Sequence, residues 1–203
     1  MRGPTGQGGS NEKKDALSIY TRAMQDLVES FVSERPDIDA DRIYVAGASN
    51  GGWLTTRLVL DYPDYYAAAL PVAEPINLDY VSEDELQRIV DMPMWLVTAA
   101  TDNTVEPERF PVPLYAQLRN LGAENIHLSF LPRVVDRTRE YFSRDGAPHE
   151  YNRHWSWIPT YNNHLADVEG DGGQLYGPAA QAVDNIGGRK VVTVMEWLAA
   201  QSR

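Results

Sequence analysis

The chain has 203 residues, 43% of them hydrophobic and 23% charged, with a formal net charge of -11 and no cysteine. That length favours one domain with a sizeable core. The acidity, with no basic face, argues against nucleic acid or an anionic membrane surface as a partner, and the missing thiols exclude disulfides, thiolate catalysis and cysteine-zinc sites. No apolar run approaches the roughly 20 residues of a membrane span. The first residues lack the apolar centre of a signal peptide, so the chain as written carries no secretion signal; its localisation is left open, cytoplasmic as written and exported if the N-terminus is truncated.

In chain order, residues 1–13 read as a flexible lead-in rich in Gly and polar residues, and residues 14–203 as one α/β domain. Apolar residues from Ala16 to Val32 recur at three- and four-residue steps and predict a helix over 14–33. "RPDIDADR" breaks it, and "RIYVAG" is a short apolar strand. "GGWLTTRLVLDYP" is a helix ended before Pro63. "YAAALPVAEP" gives a second strand, "SEDELQRIV" a serine-capped helix and "MPMWLVTAATD" a third strand. "FPVPLYAQLRNLG" is a helix stopped at Gly122, and "NIHLSFLPRVV" a fourth strand. The polar stretch 136–153 predicts a surface excursion, and "RKVVTVMEWLAAQ" a closing amphipathic helix. Such alternation implies a mainly parallel sheet flanked by helices.

Gly47-Ala48-Ser49-Asn50-Gly51 fits G-x-S-x-G between a strand and a helix. The turn is tight, so the positions two before and two after Ser49 are expected to be small. The helix that follows aims its N-terminal amides at a developing oxyanion, with the N–H of Asn50 as one donor. The bland alternative is a glycine-rich turn with Ser49 as an ordinary cap.

A nucleophilic serine needs a base, and the base an orienting acid. Asp102 lies just beyond the third strand, where a parallel sheet presents functional groups; a turn-forming Asp is the alternative. Asp61, Asp64 and Asp79 are less well placed. His127 falls inside a strand and reads as structural. His149, His154 and His164 follow the last strand; His154, before the aromatic "WSWIP", is favoured as the base, with His149 next. "DVEGDGG" (167–173) has the acids of a calcium loop without its spacing and reads as a solvated turn. No zinc spacing, phosphate loop or dinucleotide fingerprint occurs, so no metal or cofactor is expected. Trp95 and Trp197 read as core; Trp53, Trp155 and Trp157 as core or pocket wall.

"DIDADRIYVAGASNGGWLTTRLVLDYPDYYAAALPVAEP", "WLVTAATDNTV" and "HWSWIPTYNN" resemble the α/β-hydrolase superfamily, in particular bacterial prolyl-oligopeptidase-like and polyhydroxybutyrate-depolymerase-like or feruloyl-type serine hydrolases. The resemblance covers most of residues 12–203 and carries Asp102 and His154 over as triad members beside Ser49. Arg153 stands where that group usually has glycine before the histidine. The resemblance also implies several strands ahead of the elbow strand and a second oxyanion donor from an early loop. Only 48 residues precede Ser49 here, so the chain looks like the C-terminal part of an α/β-hydrolase fold. "GPTGQGG" is the one glycine-rich candidate for the second donor. The elbow strand would then be an edge strand, and helices would show apolar faces.

The expected function is a serine hydrolase cleaving an ester through Ser49, His154 and Asp102. A prolyl-oligopeptidase-type peptidase and an inactive fragment that binds or assembles remain alternatives. The expected partners are a small-molecule ester or peptide substrate and, along the exposed sheet edge, a second copy or a missing N-terminal polypeptide.

Overall fold

The computed structural model describes residues 11–168, 173–176, 185–186 and 188–203. Helix α1 (Asn11–Ser33) leads into strand β1 (Tyr44–Ala48), helix α2 (Asn50–Asp61) and strand β2 (Ala68–Val72). Helix α3 (Glu83–Arg88), strand β3 (Met94–Ala99), helix α4 (Pro111–Asn120) and strand β4 (Ile126–Leu131) follow. These four strands form one parallel sheet in the order β1-β2-β3-β4. Sequential parallel strands need a crossover each, and α2, α3 and α4 are those crossovers.

Each element has its local cause. The hydroxyl of Ser82 accepts from the N–H of Glu85, and the carboxylate of Glu85 accepts from the N–H of Ser82, so a capping box starts α3. Past the end of α4, Gly122 takes φ +104, a backbone angle that costs glycine nothing. The strands β2 and β3 are buried at every position, as apolar runs covered on both faces should be. One face packs Leu58, Leu60, Leu96 and Leu114 between the sheet and α2, α3 and α4. The other packs Leu70, Val72, Trp95 and Val97 against Leu165, Val194 and Trp197.

The edge strand β1 differs. None of its five residues is buried, and Ala46 at its centre is exposed. Beside it, α1 is fastened to the body by polar groups. Thr21 Oγ1 donates to Asp61 at 2.7 Å, and Tyr66 donates to the buried Gln25 at 2.8 Å. Its apolar side chains Tyr20, Met24, Leu27 and Phe31, spaced to share one stripe, stay exposed.

Two segments depart from the sequence expectation. The closing helix is only α6 (Val194–Ala199), after a short α5 (Trp157–Tyr161), and Arg189–Thr193 is a strand. That strand, β8, pairs antiparallel with β5 (Leu165–Val168) and β7 (Asn185–Ile186), and β5 also pairs with β6 (Gly173–Tyr176). The helix starts at Thr193 because Thr193 and Glu196 form a second capping box. The alternating residues before it serve a sheet instead. Of "DVEGDGG", Asp167 and Val168 end β5 and Gly173 begins β6, while 169–172 lie outside the described residues. At its N-terminus α1 begins at Asn11 rather than 14, and both "GPTGQGG" and the rest of the lead-in before Asn11 lie outside the described residues.

The excursion 136–153 is a bridged loop. Val135 pairs with Glu150, and Phe142 with Pro148. The buried carboxylate of Asp136 ties its base, accepting from the N–H groups of Thr138 and Arg139 and from the hydroxyls of Thr138 and Tyr151. No helix among the described residues is long and apolar enough to cross a membrane.

Candidate active site

The strand-turn-helix from β1 to α2 is wound tightly around Ser49. Ser49 holds φ 56 and ψ -118, a conformation that L-residues other than glycine avoid. Its N–H donates to Val72 O at 2.9 Å, which ties the turn to β2. A Cβ at Gly47 would lie 2.3 Å from Gly51 O, so position 47 must be glycine. The companion expectation for position 51 is not met, since a Cβ there meets nothing within 4 Å. The second tight approach belongs to Gly52, whose Cβ would come 2.7 Å from Val72 O and 2.9 Å from Glu74 Cβ.

His154 bridges the other two predicted residues. Its Nε2 lies 2.9 Å from Ser49 Oγ, and its Nδ1 lies 2.8 Å from Asp102 Oδ2. With Nδ1–H donated to the carboxylate, Nε2 is free to accept from the serine hydroxyl. Asp102 is 4% exposed, and its Oδ1 accepts from the N–H groups of Thr104 at 2.8 Å and Val105 at 3.0 Å. Burial alone would raise its pKa, but the bonds from His154, Val105 and Thr104 outweigh it and hold the carboxyl below its usual range. The ring of Trp157 stands edge-on to His154, with centroids 5.2 Å apart. Asn152 Oδ1 accepts from the N–H of His154 and fixes the loop that carries the ring. Asn50 opens α2, so its N–H is one of the first-turn amides with no partner inside the helix.

The remaining candidates fall elsewhere. His149 packs against Tyr151 on the excursion. His127 lies in β4, its Nδ1 is 2.9 Å from Asp167, and its ring stacks on Trp95. His164 follows α5, where burial pushes its pKa down. Trp95 and Trp197 are buried, whereas Trp155 is 43% exposed beside the histidine loop. Asp61 binds Arg57 and Thr21. No group of three or more His, Asp or Glu among the described residues is placed to hold a metal ion. Sequence reasoning missed Glu74, a fully buried carboxyl against the elbow; its one signal was an acid inside the apolar run "AAALPVAEP".

Known proteins give the class. Residues 1–87 match the model of the prolyl oligopeptidase family. A thermostable esterase superposes with a TM-score of 0.60 and 25% identity, over 89% of this chain and 36% of its own. The Pyrococcus horikoshii acylaminoacyl peptidase is 16% identical with a TM-score of 0.47, over 55% of this chain and 22% of its own. The chain thus spans about a third or less of the length of these two structures, and no curated protein matches it. Four parallel strands with crossover helices, an elbow after the first of them and the esterase likeness define an α/β-hydrolase fold. Within that fold, the chain is similar to the prolyl oligopeptidase family over residues 1–87 and to the esterase over most of its length.

Proposed function

We propose that this chain is a serine hydrolase that cleaves an ester, with Ser49 as nucleophile, His154 as general base and acid, and Asp102 as the orienting carboxylate. The observation that carries it is the unbroken line from Ser49 Oγ to His154 Nε2 at 2.9 Å and from His154 Nδ1 to Asp102 at 2.8 Å. In this reading His154 takes the proton of Ser49 as the oxygen attacks the carbonyl carbon. The tetrahedral oxyanion turns towards the N–H of Asn50. His154 then returns the proton to the leaving alcohol, and an acyl-Ser49 remains. Water, deprotonated by His154, attacks the acyl carbon and releases the acid. Asp102 keeps the imidazole in the donating tautomer and stabilises the imidazolium.

An ester is favoured over an amide because its leaving group needs less protonation, so a site resting on one named oxyanion donor loses less with it. A missing donor costs about a hundred- to a thousandfold in rate. The likeness to an esterase at a TM-score of 0.60 supports the same choice. The test is labelling with a fluorophosphonate, wild type beside Ser49→Ala, with turnover of p-nitrophenyl acetate and butyrate. Labelling and turnover of the wild type alone are expected. A folded wild type that neither labels nor turns over sinks the proposal in favour of an inactive, binding form.

Among the described residues only β2 pairs with β1, and the other edge of β1 belongs to the same proposal. It is a seat for one more polypeptide strand, from a second copy or another chain, beside the apolar stripe of α1. A strict monomer at high micromolar concentration would exclude the second copy.

A further inference from the structure

Glu74 lies two residues beyond β2 and is 0% exposed. Strand alternation would send it to the face of Leu70 and Val72, away from α2. Ala73 breaks that alternation. Its N–H donates to Val97 O at 2.8 Å while its φ is +45, an angle costing a residue with a Cβ roughly 1 kcal/mol or more. The strained step turns Glu74 under the first turn of α2, where its Cβ and Cα sit against Gly52. Oε2 accepts from the N–H of Ile76 at 2.7 Å, and Oε1 has no partner among the described residues.

We infer that Glu74 is a positioning residue of the nucleophile elbow that works as an undissociated carboxylic acid, bracing the first turn of α2 without adding charge beside the oxyanion site. The inference rests on the Ser49 reading above. Among the described residues no cation pairs with Glu74. The charged groups on the surrounding elements are already engaged. Arg57 of α2 binds Asp61 and Glu85, and Asp102 beyond β3 binds His154. Burial pushes Glu74 well above the usual carboxyl range, and the single N–H bond from Ile76 does not offset it. The Ile76 N–H needs an acceptor in a dry site, which explains a carboxyl where an apolar side chain would otherwise pack. An ionised Glu74 would turn the same helix end towards itself and repel the oxyanion.

Its proton is held more tightly in the fold than in the unfolded chain. Stability is therefore lost as pH rises above the ordinary value of 4.5, until the group ionises in the fold. Glu74→Gln removes that loss. Its melting temperature, relative to wild type, should climb steadily as pH rises above the ordinary carboxyl value. The fluorophosphonate labelling rate of wild type should fall at least about tenfold on the alkaline side, and the Glu74→Gln rate should not. Glu74→Leu, which leaves the Ile76 N–H without an acceptor, should label more slowly at every pH. A melting-temperature gap that is constant with pH, or identical alkaline limbs, overturns the inference. A wild type that is never labelled overturns the Ser49 reading and the positioning role built on it, while the melting comparison still decides whether Glu74 is protonated.

Discussion

β1 and β3 lie in one parallel sheet, and each delivers one member of the Ser49–His154–Asp102 line, yet they are held differently. All six residues of β3 are buried, with strands on both sides. No residue of β1 is buried, and among the described residues only β2 pairs with it. Asp102 therefore takes its position from the packed interior. Ser49 takes its position from its own turn and from the end of β2: Gly47 against Gly51 O, the Ser49 N–H on Val72 O, and Gly52 against Val72 O and Glu74. A sheet edge can carry a strained serine because the turn and the neighbouring end of β2 hold it together.

The sharpest way to separate the two is chemical. Asp102→Asn keeps the shape of the side chain but presents His154 with the wrong hydrogen-bonding partner. Ester turnover should drop by about 10⁴ in kcat, with the melting temperature little changed. A loss below about tenfold in steady-state kinetics would remove Asp102 from the proposed role.

The next contrast is packing. Leu96, 0% exposed in β3, should cost about 2–5 kcal/mol when cut to Ala, as lost contacts and a cavity add. Val45, half-buried in β1, should cost less than about 1.5 kcal/mol on the same truncation. Chemical denaturation of both variants measures the gap, and equal losses would mean that the edge is not the weaker half.

Within β1 and its turn, the glycines make the same point at two positions that look alike in sequence. Gly47→Ala drives a methyl into Gly51 O at 2.3 Å and should cost about 3 kcal/mol or more and abolish labelling of Ser49. Gly51→Ala meets open space and enters a helix, where Ala is better than Gly by about 0.5–1 kcal/mol. It should raise the melting temperature slightly. A destabilised Gly51→Ala would show that the turn is tighter than its open face suggests.

Much of this was legible in the residues. The apolar runs of β2 and β3 and the spacing of Gly47, Ser49 and Asp102 were enough to place strands, elbow and acid in order. The segment 189–199 was not, because "RKVVTV" suits either period, and the Thr193–Glu196 capping box marking the true helix start was overlooked. The small antiparallel sheet carries short strands, such as "LADV" and "GQLY", with too little alternation to announce themselves. Gly52 and Glu74 were illegible for another reason. Their contact depends on how the chain turns after β2, where Ala73 has a positive φ that no periodicity encodes. His127 reads as structural from its strand alone, but its partner Asp167 lies 40 residues away.

The smallest effect is a difference between neighbouring amides. The N–H of Ser49 points to β2, and alternation sends those of Val45 and Gly47 the same way. The N–H of Ala46 then points outwards from a residue that is itself exposed. Hydrogen exchange followed by NMR should find Ala46 exchanging far faster than Val45 or Gly47, and all of β3 slower still. Raising the protein concentration sharpens the result. If a second copy adds a strand to β1, Ala46 becomes protected as concentration rises and β3 does not change. If Ala46 stays open at every concentration, self-pairing does not fill the edge. Slow exchange at Ala46 in a dilute monomer would contradict the free edge itself.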